Sequence, residues 1–270
     1  MGRRGTAEAG SQSTLKTELI IAAAVYGLLM GSFVNAWAYR LPRKISVARG
    51  RSFCPHCKTQ IKAYDNVPLV SWLVLRGRCR ACGAAISPRY PIVEGLTALL
   101  YVLVALHDGW SWLIVPHLVF VTALVMVSEI DMEWQIIPDV IVLPVAALGL
   151  PLMIVLEPHH WLEWLVSGLA AALFLFVIAE VYRRLRGVEG MGMGDVKLAL
   201  CMGVYLGTAV IPALFIGFVI GAAAGVLLMA VAGKSGKTAI PFGPFLAAGA
   251  VVALFLGQPI IHAYLRLITH

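Results

Sequence analysis

The chain has 270 residues, of which 60% are hydrophobic and 13% are charged, and its mean hydropathy is +0.87. A soluble domain averages about 45–50% apolar residues, so this composition excludes an ordinary soluble protein and predicts a polytopic, all-α membrane protein. The net charge of +7 does not indicate nucleic acid as a partner, because eleven of the 21 lysines and arginines fall between Arg40 and Arg89, with Asp65 as the single acid.

The N-terminal part of the chain predicts a tail followed by a first membrane span. Residues 1–18 are polar and are predicted to form a disordered tail, whereas residues 19–38 begin with an apolar run of nineteen positions. A helix needs about 20 apolar residues to cross a bilayer, so we expect the first transmembrane helix here. Lysines and arginines are retained on the cytoplasmic side of membranes, which places the following basic segment inside and the N-terminus outside.

Residues 39–91 form this basic segment and are predicted to fold as a small cytoplasmic domain around a metal ion. The segment contains two CxxC pairs, and four thiolates can surround one zinc ion tetrahedrally and so fold a short loop that lacks its own core. A redox pair and two disulfides are the alternatives, and a reducing compartment disfavours both. Four thiolates leave no coordination position for water, so we expect a structural zinc site with His56 as a bystander and with the following ligands: Cys54, Cys57, Cys79 and Cys82.

The rest of the chain, residues 92–270, is predicted to be a seven-helix transmembrane domain that carries the chemistry. With the first helix this gives about eight spans and places both termini outside. The predicted spans cover residues 19–37, 92–106, 112–127, 140–156, 164–181, 196–208, 211–232 and 242–256.

Two aspartates at the ends of these spans are predicted to form a catalytic pair. Asp195 begins the sixth span, and a carboxylate at the edge of an apolar segment is costly enough to suggest a function. A carboxylate that hydrolyses a bond normally works beside a second one. Among the acids near the third span, Asp139 suits a helix N-terminus and Glu133 can face water, but Asp131 has no such explanation and lies at the same membrane level as Asp195.

In such a pair one carboxylate takes a proton from water while the other, protonated, donates to the scissile carbonyl oxygen. The neighbouring residues are expected to support the site. Gly192 and Gly194 would let a substrate backbone come close, Asp139 belongs to the same acidic segment, and Lys197 would either reach toward the membrane surface or offset the negative charge. The residues alone leave these two roles of Lys197 open.

Several motifs resemble those of the bacterial type IV prepilin peptidases. GMGD at 192–195 resembles the GxGD signature of intramembrane aspartyl proteases, a group that includes presenilin-like and preflagellin peptidases. The two CxxC pairs and further motifs follow the same order as in the prepilin peptidases: GSFVN at 31–35, RLP at 40–42, SPRYPIVE at 87–94, IDMEWQIIPD at 130–139 and PFGPFLA at 241–247.

The resemblance implies a multi-pass enzyme of the bacterial inner (cytoplasmic) membrane. Such an enzyme would cleave the basic leader from type IV prepilins or type II secretion pseudopilins on the cytoplasmic side, with Asp131 and Asp195 as the catalytic pair. It also implies N-methylation of the new N-terminus with S-adenosylmethionine as cofactor. The sequence itself carries no glycine-rich cofactor fingerprint.

Two other classes of protein remain open from the residues alone. Intramembrane carboxylates also serve proton relays, so an ion-coupled transporter is the main alternative. Transporters tend to show internal repeats and binding groups near the membrane midplane, whereas this chain shows no repeat and its acids lie at one face. A zinc-organised membrane scaffold without activity is the third possibility.

Overall fold

The computed structural model of the protein describes residues 2–46, 52–188, 190–232 and 240–269. Within these ranges the structure is all-helical and contains nine α-helices, three short 3-10 helices and two isolated β-bridges. The α-helices are α1 Gly2–Arg40, α2 Val70–Val74, α3 Arg89–Asp108, α4 Ile114–Trp134, α5 Asp139–Leu156, α6 Trp161–Arg186, α7 Met193–Leu206, α8 Val210–Ala232 and α9 Gly243–Ile268.

Seven helical stretches in the described ranges are long and apolar enough to cross a membrane. The prediction of a multi-pass helical membrane protein is therefore confirmed, although the count differs from eight. The difference arises because α7 and α8 join through the 3-10 turn Gly207–Ala209 into one stretch, Met193–Val231. Helix α7 has 14 residues, which rise about 21 Å, less than the roughly 30 Å of the hydrocarbon core.

Two helices are longer than the sequence predicts. Helix α1 begins at Gly2, inside the segment for which a disordered tail is expected. The good helix formers Ala7, Glu8 and Ala9 adjoin a long apolar helix there, and helix propagation costs little once a nucleus exists. Helix α9 continues past Leu256 to Ile268 with Pro259 inside it.

The chain divides into two compact units, Met1–Thr122 and Ala123–His270. This division falls within helix α4 and differs from the domain boundaries predicted after residues 18, 38 and 91, which stay predictions.

In the first unit, helices α1 and α3 pack closely through glycines. A Cβ atom at Gly27 would lie 2.6 Å from the Cα of Ala98, and one at Gly31 would lie 2.6 Å from the Cα of Glu94. Side chains larger than hydrogen would force these helices apart, so small residues permit the contact. Gly31 thus has the packing role that its small size suggests.

At the other end of α3, Asp108 connects that helix to α4. Its two carboxylate oxygens lie 2.8 Å from the Nδ1 atoms of His107 and His117. Asp108 and His117 are largely buried, with side-chain exposures of 4% and 10%. A buried carboxylate needs such partners, so the cluster fixes the turn between the two helices.

In the second unit, glycines again mark the closest helix contacts. A Cβ atom at Gly203 of α7 would lie 2.5 Å from the Cα of Gly168 of α6. A Cβ atom at Gly217 of α8 would lie 3.2 Å from the Cα of Leu246, and one at Gly221 would lie 3.1 Å from the ring of Phe242, both near the start of α9. The four-residue glycine spacing in α8 therefore serves helix packing.

Candidate active site and metal centre

Asp131 lies in the last turn of helix α4 and is 5% exposed. Its Oδ2 atom accepts a hydrogen bond from the backbone N–H of Gly243, with an N···O distance of 2.8 Å. Gly243 is the first residue of α9, and the N–H groups at a helix start have no intrahelical partner and attract negative charge. The N-terminus of α9 therefore holds the Asp131 carboxylate in a fixed orientation.

Asp195 lies in the first turn of helix α7 and is 8% exposed. Its Oδ2 atom accepts a hydrogen bond from the N–H of Gly192 at 3.2 Å, while its own N–H donates to the Gly192 carbonyl at 3.1 Å. The carboxylate thus folds back over the start of its own helix. Gly192 contributes backbone groups to this arrangement.

The two carboxyl groups are close enough for the charge of Asp131 to act on Asp195. Both belong to the second unit; Asp131 accepts a hydrogen bond from the N-terminus of α9, and Asp195 lies in the first turn of α7. Two acids placed in this way provide the components of an aspartyl hydrolase, which needs one ionised and one protonated carboxyl group. Their catalytic role stays a prediction.

Gly194 lies where the start of α7 passes close to Ile137. A Cβ atom at this position would lie 2.7 Å from the Cβ of Ile137, so the space beside Gly194 is taken by the chain itself. The glycine lets the start of α7 approach the segment that leads into α5. The expectation that Gly194 lets a substrate backbone come close stays a prediction.

Lys197 and Asp139 form an ion pair with each other. The Lys197 Nζ atom lies 2.8 and 2.7 Å from the two carboxylate oxygens of Asp139, which is the first residue of α5. The pair connects α5 to α7 at the level of the aspartates. Lys197 therefore pairs with Asp139, and the two roles expected for it, reaching the membrane surface or offsetting the negative charge of the site, stay predictions.

The Asp139–Lys197 pair is expected to have a small effect, because exposed ion pairs contribute only about 0.2–1 kcal/mol. Its side chains are 33% and 53% exposed for Lys197 and Asp139, respectively. We expect Asp139→Asn and Lys197→Met each to lower the rate of substrate cleavage by less than about 5-fold, with the double variant no worse than either single one. Additive losses measured in the same cleavage assay would show that the two residues act separately.

Gly243 is the site residue that sequence reasoning missed, although it lies within the motif PFGPFLA at 241–247. A Cβ atom there would lie 2.8 Å from the Asp131 Oδ2 atom. We expect Gly243→Ala to displace this carboxylate and lower kcat/KM by about 10- to 100-fold, because small misplacements of catalytic groups are costly. The measurement is a cleavage assay combined with a melting curve.

Gly225→Ala is the matched control for this substitution. The nearest atom to a Cβ at Gly225 is the Ile240 Cδ1 at 3.8 Å, an ordinary contact. That variant should keep full activity. Unchanged activity of Gly243→Ala would mean that the contact between Gly243 and Asp131 does not affect the rate of cleavage.

A second cluster, in the first unit, has the composition of a metal site. The four cysteines of the two CxxC pairs carry free thiols, and their sulfur atoms all lie within 4.8 Å of one another. The Sγ atoms of Cys54 and Cys82, which come from different pairs, are 3.9 Å apart. Such a cluster of soft thiol donors could bind a metal ion, and His56 does not belong to it.

The two CxxC pairs have the same backbone geometry. The N–H groups of Cys54 and Cys79 donate to the carbonyls of Thr59 and Ala84 at 2.9 and 2.8 Å. A left-handed residue follows each second cysteine, Lys58 with φ 59° and Gly83 with φ 71°. This repeated turn presents both sulfurs of each pair on the same side.

Hydrogen bonds around the cysteines affect how easily each thiol ionises and hold the segment together. Hydrogen bonding to Thr59 lowers the pKa of the Cys57 thiol to about 6, which favours the thiolate that binds metal ions. The pKa of the Cys82 thiol shifts the other way, to about 11, because the lowering effect of the Ala84 backbone hydrogen bond is outweighed by desolvation and by hydrogen bonds to the other cysteines. Arg80, within the second pair, donates to both carboxylate oxygens of Asp65 at 2.7–3.0 Å. The guanidinium lowers the pKa of Asp65, so this contact persists at neutral pH.

Comparisons with known proteins agree with the arrangement of the two units. Residues 25–107 match the Bacterial Peptidase A24 N-terminal domain, and residues 118–226 match the Type IV leader peptidase family. No solved structure matches the chain.

Curated relatives that match almost the whole chain carry the name prepilin leader peptidase/N-methyltransferase. The protein from Stutzerimonas stutzeri is 38% identical over 92% of this chain and 94% of its own length. Those from Pseudomonas aeruginosa and Neisseria gonorrhoeae are 33% and 34% identical over 92% and 87% of this chain and 93% and 89% of their own lengths. The chain therefore belongs to the type IV leader peptidase family.

Proposed function

We propose that this protein is a membrane aspartyl endopeptidase that removes the leader from type IV prepilins or type II secretion pseudopilins and methylates the new N-terminus. The relatives are named for both activities. The observation that supports the peptidase activity is the pair of buried aspartates, Asp131 and Asp195, each held at a helix N-terminus and within electrostatic reach of the other. An ion-coupled transporter has no comparable support.

In this mechanism the two aspartates share one attacking water molecule. Asp131 accepts the shorter backbone hydrogen bond, 2.8 Å against 3.2 Å for Asp195, and we assign it the ionised state that takes the proton from water. Asp195 then holds the proton that is donated to the carbonyl oxygen of the scissile peptide. The two groups exchange one proton during the reaction and titrate together.

The position of the aspartates suits a prepilin as substrate. A prepilin carries a basic leader followed by an apolar helix, so its cleavage point lies where the polar and apolar segments meet. Asp131 and Asp195 lie at the ends of apolar helices, where such a junction would be reached. We place the site on the cytoplasmic face of the bacterial inner membrane with the N-terminus outside. The reason is that loops rich in lysine and arginine stay on the cytoplasmic side.

Two cofactors belong to this proposal. The four-cysteine cluster is proposed to hold a structural zinc ion, because a tetrahedral thiolate site leaves no position for substrate. S-adenosylmethionine, when bound, supplies a methyl group that leaves its sulfonium sulfur while the bonding electron pair stays on sulfur and the accepting amine releases a proton.

The proposal is tested by incubating the purified full-length protein, in lipid vesicles, with a purified prepilin. We expect a cleaved product without its leader, and in the presence of S-adenosylmethionine a further mass increase of one methyl group. Intact mass spectrometry measures both. If folded, metal-loaded protein cleaves neither a prepilin nor a pseudopilin, the proposed peptidase function is wrong.

A further inference from the structure

Within the described ranges, a second group of side chains besides the cysteines has the composition of a metal site. His107, Asp108 and His117 meet where α3 ends and α4 begins, and one donor atom from each lies within 4.8 Å of the others. Imidazole nitrogen and carboxylate oxygen are ligands that zinc and related transition metals accept. All three residues belong to the first unit, and neither the peptidase chemistry nor the cysteine cluster uses them.

Both imidazoles present the same ring atom to the carboxylate. The Nδ1 atoms of His107 and His117 each lie 2.8 Å from a different oxygen of Asp108, and the two ring centroids are 6.3 Å apart in an edge-to-face arrangement. Zinc bonds of about 2.0–2.2 Å place the ligand atoms of a tetrahedral site about 3.4 Å apart. An ion between these groups therefore requires each nitrogen and its oxygen to separate by only about half an ångström more.

The charge of Asp108 gives a reason for a cation at this place. Its side chain is 4% exposed, and its ion-pair partners among the described residues are the two histidines, which carry charge only when protonated. Asp108 is also the last residue of α3, where the helix dipole already places negative charge. Burying a carboxylate without a positive partner costs free energy, and coordination of a metal ion removes that cost.

The group is open to solvent on one side and is held by a fixed turn. The His107 side chain is 43% exposed and that of His117 is 10% exposed, so an ion enters past His107. Gly109, directly after Asp108, has φ 60°, a conformation that favours glycine, and its N–H donates to the Ala105 carbonyl at 3.0 Å. This turn positions the ligand atoms before any ion binds.

The group lies at the opposite end of α3 from the cysteine cluster. The cysteines precede Arg89, where α3 begins, and Asp108 is its last residue. The 20 residues of this helix rise about 30 Å, which is the thickness of the hydrocarbon core of a membrane. An ion at one cluster cannot reach the ligands of the other, so the two clusters bind metal independently.

We propose that His107, Asp108 and His117 form a metal site, separate from the cysteine cluster, that binds a divalent ion of the zinc type. Each neutral imidazole gives its Nδ1 lone pair to the ion and carries its proton on Nε2. The ion balances the charge of Asp108 and joins the end of α3 to the start of α4. Three protein ligands leave a position for water, so this ion exchanges with solvent more readily than one held by four thiolates.

The test is a titration of the purified full-length protein, in detergent micelles, with Zn²⁺ by equilibrium dialysis. We expect one equivalent per chain to bind reversibly, in addition to any ion that the cysteines retain. His117→Gln and Asp108→Asn keep hydrogen-bonding groups, and each should raise the Kd of the added ion by at least about 100-fold. Residues that merely orient a metal ligand already contribute about 10- to 100-fold to affinity. An equal concentration of Mg²⁺, which prefers six oxygen ligands, should not displace the ion.

His262→Gln is the matched control for these variants. It removes an exposed histidine of α9 that belongs to none of the donor clusters found in the described part of the chain. This variant should bind the added Zn²⁺ with the same stoichiometry and the same Kd as the unmodified protein. Melting curves recorded before Zn²⁺ is added identify any variant whose loss of binding comes from loss of the fold.

Amide hydrogen exchange of the unmodified protein gives an answer that does not depend on the folding of any variant. We expect Zn²⁺ to slow exchange at least about 10-fold in peptides that cover residues 107–117, and to leave the peptides of α8 unchanged. Unchanged exchange at residues 107–117, or a folded His117→Gln variant that binds the added ion with unaltered Kd, would overturn the proposal. The three residues would then stabilise the turn through their hydrogen bonds alone.

Discussion

Replacing Asp131 or Asp195 with asparagine is expected to lower the rate of prepilin cleavage by at least about 10³-fold, because each variant loses one of the two proton transfers. Asparagine keeps the size of the side chain and can still accept the backbone hydrogen bond from Gly243 or Gly192. It can neither take a proton from water nor donate one as an acid. The measurement is kcat for cleavage of a purified prepilin.

The double variant should be little worse than either single variant, since groups that act as a unit show strongly non-additive losses. Asp139→Asn is the matched control. It removes a carboxylate from the same segment, but one that is exposed and paired with Lys197. Melting curves and the zinc content should be the same for all three single variants. Activity close to that of the unmodified protein in either Asp131→Asn or Asp195→Asn would eliminate the pair as the catalytic centre.

The sequence predicts a common membrane level for these two aspartates because the membrane imposes a simple rule. Apolar runs of a fixed length alternate with loops, and the basic residues orient them. Counting spans therefore places residues that are distant in sequence at one face. The same rule does not say which helix faces which, so it does not predict the ion pair of Lys197 with Asp139.

Glycines show most clearly where sequence reasoning ends. A glycine can serve a turn, a close helix contact or a backbone hydrogen bond, and the local sequence is similar in each case. Gly194 is required by the approach of Ile137, and Gly243 by the approach of Asp131. Both reasons depend on a residue far away in the chain. The PFGP motif, with glycine between two prolines at the level of the acids, was the available signal for Gly243.

The first unit contains a cavity that Asn35 lines, and the sequence could not predict it for a related reason. The sequence shows small and polar residues at the end of the first span, which suits helix packing and also suits a site. Gly31 packs against Glu94, whereas Asn35, four residues on and so on the same helix face, lines a cavity. One helix face thus packs against a neighbouring helix and also lines a cavity, and only the tertiary contacts separate the two.

The cysteine cluster leads to the second large expected effect. We expect Cys54→Ser or Cys79→Ser to reduce the zinc content of the purified protein from about one ion per chain to near zero, because a structural site needs all of its thiolate ligands. Measurement is by elemental analysis after purification without chelators. His56→Ala and Cys201→Ser should both retain zinc, since neither residue belongs to the cluster.

Loss of the ion should also loosen the segment that carries the cysteines. Apart from the short helix α2 and a 3-10 turn, residues 52–88 contain only loops and two isolated bridges, and most of their side chains are exposed or partly exposed. Such a segment has little apolar core, so the free energy of metal binding supplies much of its folding free energy. We expect trypsin to cut the Cys54→Ser variant at Lys58, Lys62 or Arg76 at least about 10-fold faster than the unmodified protein.

The two readouts together distinguish zinc from its alternatives. A tetrahedral site of four thiolates suits zinc or iron, and an iron site would be coloured whereas zinc, with a filled d shell, is not. A colourless protein that loses one zinc ion and becomes sensitive to trypsin in Cys54→Ser would establish a structural zinc site. Zinc retained by that variant, or disulfide bonds found in the purified protein, would mean that the paired cysteines stabilise the segment by other means.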